Sequence, residues 1–80
     1  MGRGRAIIML AIWTVYADPT DYPGKFVARR FDVTKDGPVP SDNVIIVPTL
    51  GMVRHILDEM HLTRMARHPD DDPKIVECWL

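Results

Sequence analysis

From Ile7 to Tyr16 almost every position is apolar, with Ile7, Met9, Ala11, Trp13 and Val15 in one alternating set and Ile8, Leu10 and Ile12 in the other. Apolar residues in both sets are expected of an inner strand covered on both faces, best developed from about Leu10. Asp18-Pro19-Thr20-Asp21-Tyr22-Pro23-Gly24 then concentrates turn formers. Proline fixes φ, aspartate bonds to nearby amides and glycine accepts positive φ, so the chain is predicted to reverse there. A second strand over Lys25 to Val33 sets Phe26, Ala28 and Arg30 against Val27, Arg29, Phe31 and Val33, completing a hairpin.

Thr34 to Asn43 carries Gly37, Pro38 and Pro40 among polar residues and reads as a surface loop. Val44-Ile45-Ile46-Val47 is β-branched throughout, too short for a helix, and closed by Pro48, so a short strand is expected. The period then changes. Leu50, Val53, Ile56, Leu57 and Met60 fall on one stripe of a helix that Thr49 can cap, with Gly51 a mild weakness in its first turn. Leu62 to Ala66 reads as a short strand or irregular edge, and His68-Pro69-Asp70-Asp71-Asp72-Pro73 as a turn. Lys74 to Leu80 alternates like a half-buried strand and ends on Cys78-Trp79-Leu80, which predicts a terminus built into the core.

These elements predict an α+β fold over residues 1–80, a small antiparallel sheet of about four strands with one main helix packed on one face. The expected core is Trp13, Val15, Phe31, Val53, Ile56, Leu57, Val76 and Cys78. At 80 residues folding buries only roughly 60% of the unfolded chain's surface, so the core is small. The apolar fraction of 46% and charged fraction of 26% are those of a globular protein rather than a disordered or coiled-coil one.

Ten basic and eleven acidic residues leave a formal charge of −1, so no global field draws the chain onto nucleic acid or an anionic membrane. The single Cys78 rules out an intramolecular disulfide framework and fits a reducing, cytoplasmic setting. Arg3 and Arg5 ahead of the apolar run, with Val15-Tyr16-Ala17 behind it, imitate a secretory signal. The strand-like spacing of Trp13, Val15 and Tyr16 favours a strand instead, with residues 1–8 as a loosely ordered extension and Met9 as an alternative start.

Candidate chemistry is sparse. His55 and Glu59 share a helix face, as do Asp58 and His61, but no third ligand or H-E-x-x-H pattern accompanies them, so a solvated face is expected. Asp70-Asp71-Asp72 lacks the spaced ligands and turn glycine of a calcium loop and reads as a solvated turn. Cys78 has no base at a telling spacing, and no phosphate-binding glycine loop occurs, so neither catalysis, a metal nor a cofactor is expected. Arg29 and Arg30 point to opposite faces of one strand. They act as ion-pair partners unless Arg64 and Arg67 join one of them in an anion site.

Trp13-Thr14-Val15-Tyr16, Asp21-Tyr22-Pro23 with Phe26 to Arg30, Thr49-Leu50 entering a helix, and Asp71 to Trp79 together resemble small bacterial proteins without an assigned activity, over about residues 13 to 79. That resemblance implies a bacterial cytoplasmic domain and no catalytic residues. The order of strands before a helix also looks slightly like HicB-type antitoxins, without their glycine- and cysteine-bearing turn or DNA-binding tail, and implies fold rather than function.

The expected function is non-catalytic interaction with a protein partner, through the uncovered sheet face or an edge, where Tyr22, Trp79 and the arginines Arg29, Arg30, Arg64 and Arg67 could meet it. Self-association as a homo-oligomer is the simplest form. The alternative is a small nucleic-acid-binding protein with a local arginine patch, aided by Phe26, Phe31 or Tyr22 stacking on bases. No membrane partner is expected.

Overall fold

A computed structural model describes residues 8–80, so the expected loose extension at 1–8 falls almost wholly outside the described residues. Among these are β1 (Ile8–Ala17), β2 (Phe26–Thr34), β3 (Gly37–Val47), α1 (Leu50–Glu59), β4 (Arg64–Ala66) and β5 (Ile75–Trp79). All five strands join one antiparallel sheet in the order β3-β2-β1-β5-β4. The fold is thus α+β, with one strand more than the pattern predicts. No helix among the described residues is long and apolar enough to cross a membrane.

β1 is the central strand, as its two apolar sets imply. It pairs with β2 from Leu10↔Val33 to Ala17↔Phe26, and with β5 from Trp13↔Trp79 to Tyr16↔Ile75, with an irregularity between Val15 and Tyr16. The hairpin turn is held by Asp18, whose Oδ1 accepts the Gly24 N–H at 2.6 Å. Both residues have positive φ, at 52° and 74°, a region glycine enters freely and aspartate tolerates.

The segment Thr34 to Asn43 is not a loop. Apart from the two-residue turn Lys35-Asp36 and an irregularity opposite Arg30, it pairs with β2 as part of β3, from Thr34↔Gly37 to Phe26↔Val47. Pro38 and Pro40 are compatible because β3 is an edge strand and alternate residues turn their nitrogens away from β2, where no N–H is required. Thr34 closes the turn, its hydroxyl donating to the Gly37 carbonyl at 2.9 Å.

α1 begins as its sequence predicts, with Thr49 Oγ1 accepting the Met52 N–H at 3.2 Å. It ends at Met60, after which His61 takes a positive φ of 62° and turns the chain away. Val53 and Leu57 are fully buried against Trp13, Val15, Ala28, Val47 and Trp79. Phe26, Ile45, Leu50, Ile56, Leu62 and Val76 pack around them.

Phe31 and Cys78 are not in this core. Cross-strand partners share a face, so Trp13, Val15, Ala28, Glu77 and Trp79 lie beneath the helix, while Ile12↔Phe31 and Thr14↔Cys78 lie on the opposite side. Both residues are half-buried there. The expectation that β1 is covered on both faces is likewise corrected, since the described residues provide a covering helix on one face alone.

Candidate interaction surfaces

The face opposite α1 is built from alternate residues of all five strands. By register it carries Leu10, Ile12, Thr14 and Tyr16 of β1, Val27, Arg29, Phe31 and Val33 of β2, Val44 and Ile46 of β3, Met65 of β4 and Cys78 of β5. Val27 and Thr14 are buried by their neighbours, but Leu10, Ile46 and Met65 remain 44%, 41% and 47% exposed. Arg29 is the one charged residue at these paired positions, and Asp21 from the β1–β2 turn forms an ion pair with it. The result is an open sheet face that is mainly apolar, with Arg29 paired to Asp21 and the charges of Asp71 and Asp72 acting on its Tyr16 and Cys78 end.

The arginines named from sequence divide into two groups. Arg29 lies on the open face, whereas Arg30 lies on the helix side opposite Trp13 and donates to Asp32 at 2.8 Å. Both are engaged by aspartates, and β1 and β5 separate their strand from β4. Arg64 and Arg67 do come together, along a cleft of about 420 Å³ that Met65, Ala66, Val76 and Glu77 also line. Tyr22 is half-buried within the turn, its N–H donating to the Pro19 carbonyl at 3.0 Å. Trp79, expected on an interaction surface, is 5% exposed in the core. Its parity with Trp13 and Glu77, set by pairing with β1, turns it under the helix.

Glu77 is a buried acid at 3% exposure on the helix face of β5. Its carboxylate receives Arg54 Nη2 at 2.7 Å and Nε at 3.1 and 3.2 Å, and the Trp79 indole N–H at 2.8 Å. Burial pushes its pKa up, but the hydrogen bonds from Arg54 and Trp79 and the charges of Arg54 and Arg64 outweigh it, leaving the pKa below the ordinary value. This ties α1 to the last strand. Sequence alone contained a signal for it: Glu77 shares parity with Trp79, and Arg54 lies one turn from Leu50 and Leu57 on the flank of the apolar stripe.

No group of three or more His, Cys, Asp or Glu side chains among the described residues is placed to hold a metal ion. His55 and Glu59 lie 4.0 Å apart on the exposed side of α1. The aspartate run organises its own turn, Asp71 Oδ2 accepting the His68 N–H and Asp72 Oδ1 the Lys74 N–H, both at 2.9 Å. Cys78 is half-buried, and burial raises its thiol pKa despite a hydrogen bond with Thr14. A raised pKa leaves it a thiol at neutral pH and a poor nucleophile.

No known protein family, curated protein or solved structure matches this chain.

Proposed function

We propose that this protein is a non-catalytic interaction module that self-associates through its open sheet face. The observation that carries this is the five-stranded face whose outward side chains are mainly apolar, with the one charge at its paired positions, Arg29, held by Asp21. Apolar surface left exposed across a whole sheet is stabilised by burial against a partner. With Arg29 already paired, apolar contact rather than charge governs what this face binds. It suits its own copy across a twofold axis, the two sheets stacking about 10 Å apart.

Edge pairing is less suited to this role. Pro38 and Pro40 interrupt the donor row of β3, and β4 is three residues long. The supporting experiment is light scattering over a concentration series, with and without reductant. A dimer that forms as concentration rises, independent of reductant, is expected. Leu10→Glu and Ile46→Glu, which place charges at exposed positions of the face, return the protein to monomer while leaving its circular dichroism unchanged. A wild-type protein that stays monomeric at millimolar concentration overturns the proposal.

A further inference from the structure

The cleft along β4 brings two arginines, Arg64 and Arg67, beside a free sheet edge. Thr63 and Leu80 exchange backbone hydrogen bonds of 2.7 and 3.0 Å, which sets the alternation of the β4–β5 ladder. Met65 therefore turns its backbone toward β5, and Arg64 and Ala66 point their N–H groups outward at the sheet edge. Both residues line the cleft, as does Arg67. Arg67 is anchored by donation from Nη2 to the Asp71 carbonyl at 2.8 Å, while its buried Nε has no partner among the described residues. A buried donor left unmade costs on the order of 1–3 kcal/mol, which an acceptor admitted by a small movement of the Arg67 side chain would recover.

Two carboxylates approach the cleft, and both are committed elsewhere. Glu77 is saturated by Arg54 and Trp79, and Asp71 Oδ2 accepts from His68. Glu77 is charge-paired with Arg54 and Asp71 keeps its own charge, so the mouth sets the two guanidinium groups of Arg64 and Arg67 against one unpaired carboxylate. Outward backbone N–H groups beside two guanidinium groups are a donor set for a compact oxyanion with several acceptor oxygens.

The geometry points to a phosphoryl-binding site in the β4 cleft, formed by the N–H groups of Arg64 and Ala66 and the guanidinium groups of Arg64 and Arg67. A phosphoryl group could arrive on a small phosphorylated molecule or as the backbone of single-stranded RNA. The binding chemistry is the same, and the accessory contacts differ. On RNA, affinity grows with the number of phosphates engaged and falls steeply with salt.

The test is a titration of isotope-labelled protein with pyrophosphate, and in parallel with a uridine oligonucleotide, at low salt. Saturable shifts of the Arg64 and Ala66 amides and of the Arg67 Nε–H are expected. Arg64→Gln and Arg67→Gln each weaken binding about tenfold, the loss expected for one charge-assisted hydrogen bond. Arg30→Gln, remote from the cleft, binds as wild type. Oligonucleotide binding tighter than pyrophosphate and steeply salt-dependent assigns the phosphate to a nucleic acid, and equal or weaker binding assigns it to a small molecule. If pyrophosphate and the oligonucleotide both leave these resonances unmoved at millimolar concentration, or if the two glutamine variants, shown to be folded by their thermal melts, titrate as wild type, there is no such site.

Discussion

Replacing Arg54 with alanine isolates the buried carboxylate of Glu77. In the wild type that group is 3% exposed and holds three contacts from Arg54 besides one from the Trp79 indole. Removing one partner of a buried pair costs roughly 3–5 kcal/mol. Arg54 is itself 40% exposed, so water enters the space it leaves and the lower end applies. An independent ceiling comes from protonation. A carboxylate with an ordinary pKa near 4.3 can escape its burial at pH 7 by taking a proton, for about 3.7 kcal/mol. We therefore expect a loss of about 3 kcal/mol, which lowers Tm by roughly 12–24 °C in a domain of this size. With a total stability on the order of 4–12 kcal/mol, the variant still folds in the cold.

The pH dependence makes the test specific. In the wild type the depressed pKa of Glu77 contributes stability that is fully present above the unfolded carboxylate pKa and is lost as pH falls through the folded value. In Arg54→Ala, burial is the largest influence left on Glu77, so its pKa moves above the ordinary range. The variant's deficit then shrinks on acidification, by at most about 1.4 kcal/mol per pH unit. Urea melts followed by tryptophan fluorescence between about pH 5 and 8 measure both slopes. A deficit below about 0.5 kcal/mol, the scale of an ordinary surface substitution, or one that is constant across that range, would refute the account of Glu77 as a buried charge held by Arg54.

Other outcomes follow from single contacts. Leu57→Ala, at a fully buried position, should cost about 2–5 kcal/mol in the same urea melts. Gly51 has helical φ and no atom within 4 Å of where a Cβ would lie. Gly51→Ala should therefore stabilise by about 0.5 kcal/mol, seen as a rise in Tm of roughly 2–4 °C. Cys78 should react slowly with a disulfide reagent at neutral pH and faster as pH rises beyond the ordinary thiol range, because burial raises its pKa. Rapid labelling at neutral pH would contradict that.

The elements with a single clear period were readable from the chain. The β1–β2 hairpin, the capped helix and β5 occur close to where spacing places them, because a turn cluster or an N-cap marks their limits. Face assignment was harder. β1 is apolar on both sides, so its sequence does not reveal which set meets the helix, and a shift of one residue exchanges Phe31 for Ala28 and Cys78 for Trp79. That is why Trp79 looked available and is buried, while Cys78 looked buried and lies on the open face. The second half of β3, Val44 to Val47, was expected as a strand, but its first half was missed because Pro38 and Pro40 resemble loop residues until the edge position is known. The cleft at Arg64 and Arg67 needs the β4–β5 pairing, a long-range contact that no local pattern records.

The central position of β1 also sets an order of events during synthesis. Trp13 is paired with Trp79, 66 positions later, so the first described strand is flanked on one side by the last described one. A nascent chain can assemble the β1–β2–β3 meander early, yet Trp13 lacks its neighbour until β5 leaves the ribosome. Closing so long a loop places folding toward the slow end for small domains, about milliseconds to seconds. During that interval α1, already made, can cover one face of the meander, but the open face and the β1 edge stay unpartnered, and the growing chain is most in need of a chaperone before Ile75 emerges.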